Sequence, residues 1–148
     1  MPQPMSIFEV SGRAMSAQLV RMNTTASNLA NAGAVSTTEA GAYRTMKPVF
    51  RTTFDAASGL ATVDAAQVVT AGEAPAKRHD PGNPLADAEG NVWEAAVDEP
   101  RELVDMLDAA RTYQNNVEVM STAKSLITET LRLGRCSWPP PQYRIFRR

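Results

Sequence analysis

The side chains in this sequence that could do chemistry are few and are not spaced for it. Acidic residues gather at Asp80, Asp87, Glu89 and Glu94, and carboxylate oxygens are the ligands that calcium prefers. An EF-hand loop requires the pattern D-x-[DN]-x-[DN]-G followed by a distal glutamate, and no register of this stretch supplies it. The neighbouring glycine, proline and asparagine residues favour aspartates that stabilise turns. We therefore predict no metal site here.

Nucleophilic chemistry is equally unsupported. His79 is the only histidine and Cys136 the only cysteine, which excludes an internal disulfide and a zinc site built from several such ligands. The sequence contains no G-x-S-x-G elbow, no GxGxxG and no glycine-rich phosphate loop. We predict that the chain is not an enzyme and needs no cofactor, and that His79 is a solvated side chain.

Charge and hydropathy exclude two further classes of partner. The formal net charge of −1 gives no electrostatic reason to bind nucleic acid. No apolar run approaches the roughly 20 residues of a membrane span, so we predict no membrane insertion. The first ten residues also lack the basic and apolar regions of a secretory signal peptide. Export, if it occurs, would use another route.

Proline and glycine divide the sequence into four parts. We predict an N-terminal assembly helix in residues 1–33, a β-rich middle region in residues 34–97, a C-terminal assembly helix in residues 98–134 and a disordered tail in residues 135–148. The fold class is α+β, with the two long helices pairing as a coiled coil around a small irregular β-rich region.

Local patterns mark where the helices begin and end. Ser6 followed by Glu9 predicts a capping box at the start of the first helix, and Gly33 suits its C-terminal end. Acidic residues at Asp98 and Glu99, followed by a proline, are typical of the first turn of a helix.

Both helices carry apolar residues at alternating three- and four-residue steps, which is the spacing of a heptad seam. In the first helix these residues are Phe8, Met15, Leu19, Met22, Ala26 and Leu29, with Gly12 as the one weak position. In the last helix they are Leu103, Met106, Ala110, Tyr113, Val117, Met120, Ile127 and Leu131, with Lys124 as the one polar interruption.

The helix faces outside these seams are poor in charge. They carry neutral polar side chains instead: Thr24, Asn28 and Asn31 on the first helix, and Gln114, Ser121, Ser125 and Thr128 on the last. Protein interfaces are depleted of charge at their centres, so we predict that neighbouring subunits cover both faces. We expect Asn28 and Asn31 to form inter-subunit hydrogen bonds and the helices to be largely unpaired before assembly. Packing of the two helices on each other within one chain remains the alternative.

The middle region indicates short strands joined by turns. Residues 43–54 are rich in threonine, valine and aromatics, but Pro48 confines this strand to a sheet edge or a bend. Further short strands are predicted at residues 60–63, 67–70, 74–78 and 91–97. Turn-forming residues make 79–91 an irregular loop.

One segment of the first helix resembles a known signature. Residues 23–32, Asn-Thr-Thr-Ala-Ser-Asn-Leu-Ala-Asn-Ala, are similar to the N-terminal motif of the flagellar axial proteins, the family of rod, hook and hook-associated subunits. Residues 83–92 and 111–124 look like a loop and a C-terminal helix of proximal rod members of that family. The resemblance extends over residues 5–134, whereas 135–148 has no counterpart in it.

The resemblance implies a structural subunit of the proximal rod of the bacterial flagellar basal body. It would be exported by the flagellum's own apparatus and would polymerise through its terminal helices into the drive shaft that crosses the periplasm. Its partners would be other copies of itself, proximal and distal rod subunits and the rod-to-ring junction protein. Another rod or hook subunit, a coiled-coil adaptor and a peptidoglycan-cleaving enzyme remain as alternatives.

Overall fold

Two long helices flank a β-rich middle region in the computed structural model, which describes residues 6–134. The helices are α1, Ile7–Ala30, and α2, Glu99–Gly134. The strands are β1 (Val35–Ser36), β2 (Met46–Asp55), β3 (Leu60–Thr70), β4 (Ala76–His79) and β5 (Asn91–Glu94), with a 3₁₀ turn at Glu39–Gly41. The predicted α+β class is confirmed. The tail predicted to be disordered, residues 135–148, lies outside the described residues.

The start of α1 matches half of the predicted capping box. The Ser6 Oγ accepts a hydrogen bond from the Glu9 N–H at 3.3 Å, which satisfies one of the free amides of the first turn. The Glu9 carboxylate turns instead to Arg13, whose Nη2 lies 2.9 Å from its Oε1. At the other end, the amide of Asn31 bonds to the carbonyl of Asn28, three residues back, and this tighter turn ends the helix before Gly33.

Helix α2 is the longest element of the described chain. Its 36 residues correspond to a length of about 54 Å. Asp98 precedes the helix, and its Oδ1 accepts a hydrogen bond from the Arg101 N–H at 3.2 Å. Glu99 and Glu102 lie in the first turn, where negative charge is favoured by the helix dipole.

The strands form two separate antiparallel sheets. Strands β1, β5 and β4 make a three-stranded sheet in that order, and β2 pairs with β3 in a two-stranded hairpin. Gly59 adopts φ 69° in the hairpin turn, a conformation that favours glycine. Because β2 has a single neighbour, the prediction that Pro48 confines its strand to an edge is confirmed.

Strand β3 is continuous, which corrects the prediction of two short strands at residues 60–63 and 67–70. Asp64 and Ala65 pair with Arg51 and Phe50 of β2, and the next pair, Val49 with Gln67, is offset by one residue. This bulge leaves Ala66 without a partner residue on β2 but lets the ladder continue beyond it. The break predicted between the two strands is therefore a bulge at a single residue of one continuous strand.

The two helices pack against each other, and α1 also packs against both strands of the hairpin. Asn28, in the last turn of α1, hydrogen-bonds to Glu102, in the first turn of α2. Extensive contact from this starting point requires the helices to run antiparallel. They are paired within one chain, so the expectation of largely unpaired helices does not describe this structure.

The residues that α1 buries are not large apolar side chains. They are small or polar: Ser11, Ala17, Thr24, Thr25 and Asn28. On α2 the most buried residue is Ala109, with no exposed surface. Small side chains let backbones approach, and the contact therefore depends on shape more than on large apolar groups. Within residues 6–134, neither helix contains a stretch long and apolar enough to cross a membrane.

Candidate functional site

Asn28 is the best-connected side chain at the junction of the helices and the hairpin. Its Nδ2 donates to the Met46 carbonyl and to the Glu102 Oε2, both at 2.9 Å. Its Oδ1 accepts from the Met46 N–H at 2.9 Å and from the Tyr43 hydroxyl at 3.0 Å. A primary amide has two donor hydrogens and two acceptor lone pairs. Asn28 uses all of them, and we call these four residues the Asn28 cluster.

The Asn28 cluster connects α1, β2 and α2 by hydrogen bonds at a buried position. Asn28 is 1% exposed and Glu102 4%, so neither can exchange its partner for water without local opening. A buried polar group that loses its partner costs about 1–3 kcal/mol. The cluster therefore holds the end of α1, the start of β2 and the start of α2 in one arrangement.

This position differs from the one predicted for the asparagines of α1. Asn28 is directed inside its own chain and leaves no donor or acceptor for a neighbouring subunit. Asn31 is half-buried, and its Nδ2 donates to the Ser27 carbonyl of the same helix at 2.8 Å. Thr24 is buried and donates to the Val20 carbonyl. The hydrogen bonds described for these three side chains are all internal.

The predicted apolar seam of α1 is only partly covered in the single chain. Four of its residues are half-buried: Phe8, Met15, Met22 and Leu29. Leu19 is 44% exposed, and Ala26 is exposed as well. The seam residues thus border the fully buried small residues of α1 and leave apolar surface uncovered.

On α2 the line of residues that is least exposed to solvent differs from the predicted seam at every second position, where it lies one residue earlier in the sequence. Met106, Tyr113 and Met120 belong to both rows and are half-buried. The other members of the observed row are Glu102 and Ala109, which are buried, and Asn116, which is half-buried. The sequence predicted Leu103, Ala110 and Val117 at these places. Leu103 and Val117 are exposed and Ala110 is half-buried. The Asn28–Glu102 hydrogen bond accounts for the difference, because it directs Glu102 inward and so turns Leu103 outward.

Beyond Met120 the same row continues without a covering helix. Asn28 is level with Glu102, so in an antiparallel pair Ile7, the first residue of α1, is level with about residue 123. Residues 124–134 therefore extend past the start of α1, and we call them the C-terminal overhang. Its apolar side chains are exposed by 46–71%: Leu126, Ile127, Leu131 and Leu133.

The hydroxyl side chains of the overhang donate hydrogen bonds to backbone carbonyls of their own helix. Ser125 Oγ donates to the Ser121 carbonyl at 3.1 Å, and Thr128 Oγ1 donates to the Lys124 carbonyl at 2.8 Å. Thr130 makes the same bond to the Leu126 carbonyl. Gln114, from the same predicted stripe, is exposed. Hydroxyls already bonded to their own backbone lose little when a neighbour displaces water from them.

The acidic loop does not resemble a metal centre. The Asp87 Oδ1 accepts from the N–H groups of Glu89 and Asn91, and these backbone hydrogen bonds, that of Asn91 foremost, lower the pKa of Asp87 below its ordinary value. Glu94 is paired with Arg78 at 2.6 Å. In residues 6–134 there is no group of three histidine, cysteine or acidic residues able to hold a metal ion. The prediction that this aspartate stabilises a turn is confirmed.

Sequence reasoning missed three members of the Asn28 cluster: Tyr43, Met46 and Glu102. Glu102 lies in the row of Met106, Ala109 and Tyr113 at four-, three- and four-residue steps. That spacing was the available signal for an inward-facing acid. The partners of Asn28 are 15, 18 and 74 residues away, and no local pattern predicts them.

A family of flagellar proteins matches both ends of this architecture. A model described as "Flagella basal body rod protein" matches residues 8–35, and one described as "Flagellar basal body rod FlgEFG protein C-terminal" matches residues 88–133. These ranges contain all but the first residue of α1 and all but the last residue of α2. The two matches, one on each terminal helix, indicate the class of flagellar basal-body rod proteins.

Curated relatives narrow the class further. The flagellar basal-body rod protein FlgC of Salmonella typhimurium is 45% identical over 134 residues, which covers 88% of this chain and 98% of the relative. FlgC of Escherichia coli O6:H1 gives the same values, and FlgC of Yersinia enterocolitica is 40% identical over 131 residues with the same coverage. The chain belongs to the FlgC family of flagellar basal-body rod proteins.

Proposed function

We propose that this chain is a structural subunit of the proximal rod of the flagellar basal body. Its terminal helices polymerise with those of neighbouring subunits into the shaft that transmits torque across the periplasm. Membership of a rod-protein family supports a structural rather than an enzymatic role. It also supports a location in the basal body.

The observation that carries the proposal is the C-terminal overhang. Four large apolar side chains are exposed there, on a helix that runs past its only helical neighbour in the described chain. Burying apolar surface contributes about 25 cal/mol per Å², so a helix of a second subunit would be stabilised by covering it. Leu131 and Ile127 continue the row that faces α1, and the incoming helix would therefore extend an existing packing arrangement.

The neutral polar face supports the same conclusion. The hydroxyls of Ser125, Thr128 and Thr130 are bonded to carbonyls of α2. A buried ion loses several kcal/mol of hydration that its pairing often fails to recover, whereas these hydroxyls keep their hydrogen bonds. Such a face can be enclosed in the wall of a polymer at low cost.

The three- and four-residue steps of the inward row of α2 favour a coiled coil as the form of this packing. The partners would be further copies of this chain, proximal and distal rod subunits and the rod-to-ring junction protein. Delivery through the flagellar export apparatus, without a cleavable signal peptide, belongs to the same proposal.

Deletion of the chain tests this function directly. Cells lacking it should keep the basal-body rings and the export apparatus but form no rod, as seen by electron microscopy of isolated basal bodies. Expression of the full chain from a plasmid should restore rods and swimming. Complete rods in the deletion strain would overturn the proposal. Clearing of peptidoglycan by the purified chain in a zymogram would contradict its structural role.

A further inference from the structure

We propose that the two ends of α2 are the two halves of one head-to-tail contact between successive copies of this chain. The proposal rests on the polymerising function above and names the surfaces that meet. One surface is the C-terminal overhang. The other, here called the start patch, consists of Leu103, Val104 and Leu107. The occupant of each surface is the other surface on a second copy.

The start patch is an apolar area that its own chain leaves uncovered. Leu103, Val104 and Leu107 are 52%, 57% and 60% exposed. Successive residues of an α-helix are rotated by about 100°, which places these three side chains about 100–200° around the axis from the inward-facing Glu102. The start patch therefore points away from α1, and α1 cannot cover it without losing the Asn28 cluster.

The charges around the two surfaces have opposite signs. Besides the buried Glu102, four acidic residues and one basic residue lie next to the start patch. The acidic residues are Asp98, Glu99, Asp105 and Asp108, and the basic residue is Arg101. The overhang carries Lys124 and Arg132 against Glu129. A head-to-tail contact brings the acidic surface to the basic one, whereas two start patches brought together would repel each other. Complementary potentials fix the partner and the orientation of an interface.

The geometry prevents one chain from joining its own two surfaces. Val104 and Leu131 lie 27 residues apart on a single helix, which is about 40 Å. A contact between two different surfaces does not close on itself unless the rotation between copies forms a ring, and otherwise it generates an open helical series. The packing row shared with α1 continues into the overhang, so the second copy would extend an interface already present in the fold.

Two complementary variants of the full chain test this contact. The start-patch variant is Val104→Glu with Leu107→Glu, and the overhang variant is Leu131→Glu with Leu133→Glu. The control is Asn115→Glu with Thr122→Glu, which adds the same charge at exposed positions of α2 between the two surfaces. The measurement is the mass distribution by sedimentation velocity over a series of concentrations, with helicity by circular dichroism to verify folding.

We expect the wild-type chain and the control to grow beyond dimers with concentration. Each variant alone should associate at least about tenfold more weakly, as expected when central apolar contacts are replaced by charge. An equimolar mixture of the two variants should form dimers and stop there, because each pair has one intact contact and no free complementary surface. Dimers restricted to the mixture identify the contact as head-to-tail.

Three results would overturn the proposal. The first is a start-patch variant that associates as strongly as the wild type, which would show the overhang pairing with another overhang. The second is a mixture that stays as monomeric as its components. The third is a wild-type chain that remains monomeric at about 1 mM, the range of the weakest specific contacts.

Complementation separates this contact from the function itself. If the wild-type chain restores rods in the deletion strain and the start-patch variant does so equally well, the head-to-tail contact is wrong while the structural role stands. If the wild-type chain fails to restore rods, the proposed function is the part that fails.

Discussion

The two ends of α2 differ in how they are held. Near its start, Glu102 is 4% exposed and bonded to Asn28, which is itself tied to β2 and Tyr43. Near its end, Leu131 is 67% exposed and no other helix of the described chain lies beside it. One end is fixed by the chain's own contacts, and the other has its apolar and neutral groups available to a second chain. The same helix is therefore a folded element at one end and an assembly element at the other.

The largest loss of stability is expected from Asn28→Asp, which tests whether the chain's own contacts fix the start of α2. The change brings a second carboxylate within hydrogen-bonding distance of Glu102 and removes the donors to Glu102 and to the Met46 carbonyl. We expect the free energy of unfolding to fall by about 3–5 kcal/mol, the range for breaking a buried polar network. Urea denaturation of dilute chain measures it. Asn23→Asp, the same change at an exposed position of α1, is the control, and equal effects of the two would contradict the fixed role of Asn28.

A smaller loss is expected from Glu102→Ala. This variant leaves one amide hydrogen of Asn28 without its acceptor but introduces no new charge, so we expect about 2 kcal/mol of destabilisation. The matched control is Glu99→Ala, one turn earlier and exposed, which should change stability by less than about 0.5 kcal/mol. Thermal unfolding of both variants gives the comparison. If the Glu102 variant is as stable as its control, the Asn28 cluster does not hold the start of α2 in place.

Leu131→Gln should leave the monomer nearly unchanged, within about 0.5 kcal/mol, because this side chain is already in water. The same substitution at Met106, which is half-buried in the inward row, should cost at least about 1 kcal/mol. Urea denaturation at low concentration measures both. A Leu131 variant that is as destabilised as the Met106 variant would mean that the overhang is covered within its own chain.

The smallest effect on stability is expected from Asp87 and appears only in acidic solution. Hydrogen bonds from the backbone of Asn91 and Glu89 lower the pKa of Asp87 in the folded chain below its ordinary value of 3.8. The stability that Asp87 supplies is therefore fully present above 3.8 and is lost as the pH falls through the lower folded pKa. The amide resonances of Glu89 and Asn91 should stay constant from neutral pH to about 5 and move only in more acidic solution. Asp87→Asn should abolish that movement, and a transition near neutral pH would contradict the assignment.

The sequence predicts the elements better than it predicts their contacts. Ser6, Asp98 and Pro100 mark the starts of both helices because caps and first turns are set by neighbours in sequence. The strands around Pro48 follow from local composition in the same way. The single-residue rotation of the α2 row has a local signal only in the spacing of Glu102 with Met106 and Ala109. Leu103 is the more apolar choice at this position, and the contact that draws Glu102 inward comes from the distant Asn28.

The hydrogen bonds between Asn28 and Met46 also occupy part of the free edge of strand β2. Nδ2 and Oδ1 of Asn28 bind the carbonyl and the N–H of the same residue, which is how an adjacent antiparallel strand would bind it. Two residues further along, Pro48 has no N–H to offer. A side chain and a proline thus occupy the start of an edge on which another strand could add. The chain can offer its helix to other copies while this part of its sheet is closed to uncontrolled growth.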